Sequence, residues 1–147
     1  MSVSLPADDR FAIQDLQARY ARALDTADYD VYASLFTPDA VLTMVGRQCH
    51  GRDEIREYVK ELTGRPGWAG YRHHNTQVIF EEGTDQRCRV SSYSTVLFRE
   101  ADGTDSFRVQ GIYRDTCVKA NGQWWFAERQ WEPWNPATLE SYRPAPR

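Results

Sequence analysis

The sequence predicts an α+β fold in which N-terminal helices pack on a curved, mainly antiparallel sheet. Before residue 70 apolar residues recur every three to four positions, and after it they alternate. The second half also contains three hairpin signals, namely Glu82-Gly83, Asp102-Gly103 and Asn121-Gly122. Successive hairpins make neighbouring strands antiparallel, so helices precede a meander. We expect the two layers to form a cone-shaped α+β barrel with one open end.

Two helices are predicted before residue 38. The first runs from Arg10 to Leu24, can be capped by Asp8 or Asp9, and carries apolar side chains at helical spacing: Ile13, Leu16, Tyr20 and Ala23. After the break at Thr26-Ala27-Asp28, Asp28 can cap a second helix that Thr37-Pro38 ends. Its apolar residues are Val31, Tyr32, Leu35 and Phe36.

A short strand and a third helix are predicted next. Ala40 to Val45 has the composition of a strand, and Gly51-Arg52-Asp53 starts the helix. Gly64 and Pro66 end this helix, whose apolar face is formed by Ile55, Tyr58, Val59 and Leu62.

Four long strands are predicted after residue 70: His73 to Phe80, Cys88 to Arg99, Phe107 to Val118, and Gln123 to Trp131. Strands of this length must curve, and Gly111 could supply a bulge. The tail from Pro133 to Arg147 is rich in Pro and Arg, and we expect it to be extended, either docked on a neighbour or mobile.

Composition restricts the class of protein. The 147 residues fit one domain, 1–147, able to bury a core. The charged fraction of 27% and the net charge of −3 give no basic patch for a nucleic acid. The apolar runs are too short to span a bilayer, and the N-terminus has no signal-peptide pattern. We therefore expect a cytoplasmic protein that binds neither nucleic acid nor membrane.

The cysteines and histidines do not predict a metal site. Cys49, Cys88 and Cys117 are odd in number and lack a CxxC spacing, which favours buried free thiols. A zinc site built from the three histidines is disfavoured because adjacent strand residues diverge and no HExxH spacing occurs. We expect no metal and no cofactor.

Aromatic residues make up 13% of the chain, most of them after residue 68. At this density they can fill a core or line the pocket of a flat or cyclic ligand, and the sequence leaves both possibilities open.

Asp25 and His73 are the leading candidates for chemistry. Asp25 ends the first predicted helix, where the dipole disfavours a carboxylate and makes a specific partner plausible. His73 opens the first long strand, and a carboxylate beside an imidazole forms a general base. His74 alternates to the opposite strand face.

The order of motifs resembles the SnoaL-like branch of the nuclear-transport-factor-2-like superfamily over nearly the whole chain. The residues that carry the resemblance are Ile13-Gln14-Asp15-Leu16, Tyr20, Leu24-Asp25-Thr26-Ala27-Asp28, Leu35-Phe36-Thr37-Pro38-Asp39-Ala40, Gly51-Arg52-Asp53-Glu54-Ile55, His73-His74, Gly111, Tyr113, Asp115, and Asn121-Gly122-Gln123-Trp124. Such motifs indicate the fold and leave the substrate open.

Within that branch, the chain looks most like the lyases scytalone dehydratase, hexachlorocyclohexane dehydrochlorinase and bile acid 7α-dehydratase. The resemblance implies an Asp25–His73 catalytic pair, with Tyr20 and Arg129 as further catalytic candidates. No second histidine occurs near Val96 to Phe98, which disfavours scytalone itself as a substrate.

The sequence thus predicts a cofactor-independent lyase, or a proton-transfer isomerase, acting on a small hydrophobic cyclic or polycyclic substrate. Tyr113, Trp131 and His74 are candidate substrate contacts. The alternative implied by the resemblance is a non-catalytic ligand-binding protein, or an accessory subunit of the ring-hydroxylating dioxygenase type. A homo-oligomer is implied in either case, with a trimer favoured over a dimer.

Overall fold

The computed structural model describes residues 4–146. Three α-helices lie in the first half of the chain: α1 (Ala7–Asp25), α2 (Tyr29–Ser34) and α3 (Gly51–Thr63). Within the described residues, no helix is both apolar enough and long enough to cross a bilayer.

Six strands form one curved sheet in the order β2-β1-β6-β5-β4-β3. They are β1 (Phe36–Met44), β2 (Arg47–His50), β3 (Tyr71–Gly83), β4 (Arg87–Arg99), β5 (Asp105–Ala120) and β6 (Gln123–Pro133). Every neighbouring pair is antiparallel except β1 with β6, which is parallel. The α+β class and the meander from β3 to β6 are therefore confirmed. The sheet does not close into a complete barrel, because β2 and β3 remain as edges.

The second helix is shorter than predicted. Asp28 caps α2 as expected, since its carboxylate accepts a hydrogen bond from the Val31 N–H at 3.1 Å. Phe36, however, is the first residue of β1 and pairs with β6. Pro38 does not stop a helix but lies in β1, within a register shift between residues 36 and 41. A residue without an N–H is tolerated there because the strand ladder is already interrupted.

The predicted cap of the first helix is wrong. No side chain caps α1, which begins after Pro6. Asp9 instead accepts hydrogen bonds from Lys119 Nζ at 2.8 Å and from the Trp124 indole N–H at 2.9 Å. The hydrogen bond from Lys119 is the main reason why the pKa of Asp9 lies below its usual value. This contact fastens the first turn of α1 to the end of the β5–β6 hairpin.

Gly111 has a different role from the predicted bulge. It pairs in register with Ser94 on β4 and with Pro133 on β6. A Cβ atom at this position would lie 2.4 Å from the Glu132 carbonyl oxygen and 2.7 Å from the Trp131 ring. Glycine is therefore required by the close approach of β6, and not by an extra residue in the strand.

The C-terminal tail is also more ordered than predicted. Residues Pro136–Tyr142 form a 3₁₀ helix that Asn135 caps, where extended chain was expected. The Trp134 ring stacks on Tyr142 with centroids 4.2 Å apart and meets the Tyr93 ring edge-on at 5.3 Å. These contacts dock the tail on the sheet of its own chain.

Aromatic side chains fill much of the space between the helices and the inner face of the sheet. Five rings pack against one another with centroid distances from 4.6 to 6.2 Å: Tyr20, Tyr32, Phe36, Tyr113 and Phe126. All five are at most 2% exposed. For these residues, core filling is therefore the role that the structure shows.

Candidate functional site

Asp25 and His73, predicted from residues 48 positions apart, are in direct contact. Asp25 is the last residue of α1, and His73 is the third residue of the edge strand β3. Asp25 Oδ1 lies 2.6 Å from His73 Nδ1. The backbone N–H of His73 also donates to both carboxylate oxygens, at 3.1 and 3.2 Å. These donors compensate for the unfavourable position of a carboxylate at the C-terminal end of a helix.

This contact determines which imidazole nitrogen is available. An ionised carboxylate can only accept hydrogen bonds, so the proton between the two groups belongs to His73 Nδ1. In the neutral ring, Nε2 then carries a lone pair and can accept a proton from another molecule. The side chains of Asp25 and His73 are 11% and 12% exposed, so the pair is largely shielded but still reachable.

Trp68 supports the other side of the imidazole. Its ring stacks on His73 with centroids 5.9 Å apart and an interplanar angle of 29°. The indole N–H donates to the Leu24 carbonyl oxygen at 2.8 Å, which ties Trp68 to the end of α1. His73 is therefore held by both a hydrogen bond and a stacked ring. Sequence reasoning missed Trp68, although an aromatic residue five positions before His73 was a visible signal.

A cavity of about 620 Å³ adjoins the pair, between α1 and β3. Small side chains on α1, including Ala18 and Ala21, leave space along the helix. The remaining lining residues are polar except for Val78: Gln14, Gln17, Arg22, Asp25, Thr26, Arg72, His73, His74, Asn75, Thr76 and Val78. A volume in this range fits a small organic ligand.

His74 also lines this cavity. Its side chain lies on the opposite face of β3 from His73, as predicted, and is exposed. Both histidines can border one cavity because β3 is the edge of the sheet. His74 has no carboxylate partner among the described residues, which makes it a natural comparison for His73.

Tyr20 does not line the cavity and lies within the aromatic core. It is 1% exposed, and its hydroxyl is hydrogen-bonded to those of Tyr32 at 2.7 Å and Tyr113 at 3.5 Å. Burial raises the pKa of each of these three phenols well above the usual value. They are therefore neutral at physiological pH. Tyr113, a predicted substrate contact, is equally enclosed.

Arg129 is fully buried at the centre of the inner sheet face. Its guanidinium carbon lies 3.7 Å from the Tyr113 ring centroid and 4.0 Å from that of Tyr20. Arg129 Nη1 donates to Asp115 Oδ2 at 2.9 Å. Burial is the largest influence on Arg129 and opposes its charge, but Asp115 and the surrounding tyrosines together outweigh burial and leave the pKa of Arg129 raised. The guanidinium is thus a permanent positive charge inside the fold.

Asp115 is held by a second partner that sequence reasoning missed. Gln17, 2% exposed on α1, donates its side-chain N–H to Asp115 Oδ2 at 3.1 Å. Burial raises the pKa of Asp115, while Arg129 and Gln17 act in the opposite direction. Gln17 also lines the cavity, so it connects the Asp25–His73 site with the buried arginine.

Trp131, the remaining predicted substrate contact, packs against the core and covers Gly111. It pairs with Tyr113 across β5 and β6 and does not border the cavity. Of the seven predicted site residues, the structure thus brings Asp25, His73 and His74 to one cavity. Tyr20, Tyr113, Arg129 and Trp131 lie on its inner side, within or against the core.

Residues 4–146 contain no group of three or more His, Cys, Asp or Glu side chains placed to hold a metal ion. The three cysteines are buried and free. Burial raises the pKa of Cys88 to about 11, which keeps its thiol protonated and unreactive at neutral pH.

Comparison with known proteins gives one matching family. The family of SnoaL-like domains matches residues 6–130. No curated protein matches the sequence.

Several solved structures are similar over most of the chain. A protein of unknown function from Nostoc punctiforme, with a cystatin-like fold, has a TM-score of 0.81 and 27% identity over 92% of this chain and 98% of its own. A protein from Catenulispora acidiphila, solved in complex with S-DNPA, has a TM-score of 0.76 and 29% identity, covering 87% and 95%. A candidate scytalone dehydratase from Novosphingobium aromaticivorans has a TM-score of 0.73 and 24% identity, covering 86% and 85%. At that identity, the last comparison supports the fold alone.

Proposed function

Because this chain belongs to the family of SnoaL-like domains, we propose that it is a cofactor-independent enzyme that uses Asp25 and His73 as a general base. The reaction is the elimination of water or another small leaving group from a small cyclic substrate. The observation that carries the proposal is the 2.6 Å contact between Asp25 and His73 at the wall of a cavity of about 620 Å³.

The arrangement assigns one task to each residue. His73 Nε2 takes a proton from an activated C–H bond, the electrons of that bond form the new double bond, and the leaving group departs with its own electron pair. The resulting imidazolium can return the proton to the leaving hydroxide, which leaves as water. Asp25 fixes the Nδ1–H tautomer and stabilises the imidazolium. Trp68 keeps the ring in place. Tyr20 is given no step, because its hydroxyl is bonded to those of two neighbouring tyrosines.

A matched set of three variants tests the proposal. The substrate is first sought by mass spectrometry of small molecules that copurify with the protein under native conditions. Asp25→Asn and His73→Ala are each expected to reduce turnover by about 10²- to 10⁴-fold, with a circular dichroism spectrum that shows the fold to be intact. His74→Ala removes the adjacent cavity-lining imidazole and is expected to retain most of the activity. Near-wild-type rates in both Asp25→Asn and His73→Ala would contradict the mechanism.

A proton-transfer isomerase would use the same base. His73 would then return the proton to a different carbon of the substrate, and no leaving group would depart. Product analysis by mass distinguishes the two reactions, because elimination of water lowers the mass of the substrate and isomerisation does not.

A second candidate is a non-catalytic ligand-binding protein or accessory subunit. It is favoured by the aromatic side chains that occupy the interior, of which Tyr20, Tyr32 and Phe126 are examples. In that case the copurified compound would be recovered unchanged after long incubation, and His73→Ala would alter affinity alone. Copurification with a large iron-dependent subunit would identify the accessory role.

A further inference from the structure

The wall of the cavity beside the Asp25–His73 pair carries a positive charge. Arg22 and Arg72 both line this cavity, and Asp25 is the only acidic residue on the part of the wall that the structure describes. Asp25 is already engaged by His73, through the 2.6 Å contact with the ring and two hydrogen bonds from the backbone N–H. With the histidines neutral, two guanidinium groups stand against one carboxylate. The wall therefore has a net charge of +1 in a protein whose net charge is −3.

The Arg22 guanidinium has no partner within the chain. Arg22 lies in the last turn of α1, one turn before Asp25, and is exposed. Its side chain makes no hydrogen bond or ion pair with any residue between 4 and 146. Arg19, one turn earlier on the same helix, does pair, since it contacts Asp15 at 2.6 Å. The donors of Arg22 are therefore available to a ligand in the cavity.

The Arg72 guanidinium is held in place by the backbone. Arg72 directly precedes His73 in β3, and its Nη1 donates to the carbonyl oxygens of Ala69 and Tyr71. Its Nε and Nη2 make no hydrogen bond with the described residues. These two nitrogens form an edge of the guanidinium that matches the two oxygens of a carboxylate. Because the backbone already fixes Nη1, little side-chain freedom is lost when a ligand binds.

The polarity of the wall also restricts the ligand. Every lining residue has a polar side chain except Ala18, Ala21 and Val78. A pure hydrocarbon would deprive these polar groups of water and offer no hydrogen bonds in return. A ring that carries one ionised acid group suits the wall better, because a monoanion balances the net charge of +1. A phosphate monoester, with two negative charges, would reverse the sign of the charge.

We propose that the substrate is a cyclic carboxylate whose acid group is held by Arg22 and Arg72 at the exposed side of the cavity. The proposal rests on the proposed function, in that the ring of the substrate lies beside His73. Arg22 approaches from α1 and Arg72 from β3, so the carboxylate bridges the two elements that carry Asp25 and His73. The two arginines determine specificity, and neither takes part in the proton transfer.

Two matched probes test this preference without requiring turnover. 2-Naphthoate and 2-naphthamide have nearly the same shape, and only the first is charged. In isothermal titration calorimetry at about 20 mM salt, the wild-type protein should bind 2-naphthoate about five-fold or more tightly than 2-naphthamide, the upper range for one exposed ion pair. Raising the salt to about 0.5 M should reduce the preference to less than about two-fold, because salt screens exposed charges.

Variants that remove charge assign the preference to the two arginines. Arg22→Gln and Arg72→Gln should each lower the preference for 2-naphthoate, and the double variant should abolish it. Arg22→Lys keeps the positive charge and should keep most of the preference. Arg19→Gln is the matched control, because Arg19 is exposed on the same helix but pairs with Asp15 and does not line the cavity. Arg22→Gln tests the charge even if Arg72→Gln disturbs the turn at Ala69, since the Arg22 side chain bonds to no described residue.

Four outcomes would overturn the proposal. They are equal affinity of the wild-type protein for the two probes, no binding of 2-naphthoate at its solubility limit, tighter binding of 2-naphthyl phosphate than of 2-naphthoate, and a preference that the double variant retains or that Arg19→Gln lowers as much as Arg22→Gln does. His73→Ala separates this proposal from the proposed function, because it should lose turnover and keep the preference for 2-naphthoate. If the preference is absent while Asp25→Asn and His73→Ala still lose turnover, the general base stands and the carboxylate is wrong.

Discussion

The buried phenols of Tyr20, Tyr32 and Tyr113 should make the stability of the fold fall at high pH. The substitution Tyr32→Phe measures the contribution of one of them. The substitution removes the hydroxyl that is hydrogen-bonded to Tyr20 at 2.7 Å and keeps the ring packing. At pH 7 the loss of one buried hydrogen bond is expected to lower the free energy of unfolding by about 1 kcal/mol. Above pH 10, however, the wild-type protein becomes less stable because Tyr32 ionises more readily in the unfolded chain than in the fold. The variant lacks this phenol and does not lose stability in this way.

The size of this effect follows from linkage. The Tyr32 phenol ionises near 10.0 when unfolded, and its pKa is raised well above that value by burial in the fold. Above pH 10 the folded state holds a proton that the unfolded state has lost, so stability falls as pH rises. The slope is about 1.4 kcal/mol per pH unit for one group. The initial 1 kcal/mol is therefore offset roughly 0.7 unit above pH 10, and the two stability curves should cross near pH 10.7.

Urea titrations followed by tryptophan fluorescence between pH 7 and pH 11 measure both curves. Tyr93→Phe, which removes a hydroxyl at a 40% exposed position, is the matched control. A stability difference between Tyr32→Phe and wild type that stays constant up to pH 11 would show that burial does not raise the pKa of Tyr32. It would mean that the Tyr32 phenol ionises as easily in the folded protein as in the unfolded chain. The aromatic core would then not keep the phenol of Tyr32 neutral.

Three further substitutions test the fold around the site. Asp9→Asn should lower stability by about 1–2 kcal/mol at pH 7. The difference should shrink progressively as pH falls below the usual value of 3.8, because the pKa of Asp9 in the fold is lowered mainly by its hydrogen bond from Lys119; urea midpoints at pH 7 and pH 3 check this. Gly111→Ala should cost about 1–3 kcal/mol, since its Cβ would overlap the Trp131 ring; an unchanged thermal midpoint would contradict the close approach. Asp28→Ala should cost about 1 kcal/mol through the lost helix cap, and an equal stability by urea titration would exclude that cap.

Much of the fold was predictable from local signals in the sequence. Helical spacing located α1 and α3, and the hairpin signals located β3 to β6. Phe36 could not be placed from local signals. It continues the apolar spacing of α2 but belongs to β1, because it pairs with Phe126 on β6. The parallel pairing of β1 with β6 joins distant segments, and no local pattern encodes it. Strand β2 is short and polar, so it carried no signal.

The candidate site was predictable to a smaller extent. The resemblance located Asp25 and His73, and their contact agrees with the expectation. It could not reveal that Tyr20 would lie in a closed aromatic core, because the filling of an interior depends on all the side chains around it. Asp9 shows the same limit, since a carboxylate at the start of a helix suggests a cap, and its partners Lys119 and Trp124 lie more than 100 residues away.

The proposed mechanism requires Asp25 to hold His73 with its proton on Nδ1 and to leave Nε2 free to act as a base. Long-range ¹⁵N–¹H correlation spectra of the histidine rings measure this tautomer directly, at a pH where the ring is neutral and without any substrate. We expect a protonated Nδ1 and an unprotonated Nε2 for His73 in the wild-type protein, and a loss of that preference in Asp25→Asn. A His73 ring protonated on Nε2, or a tautomer that Asp25→Asn leaves unchanged, would contradict it.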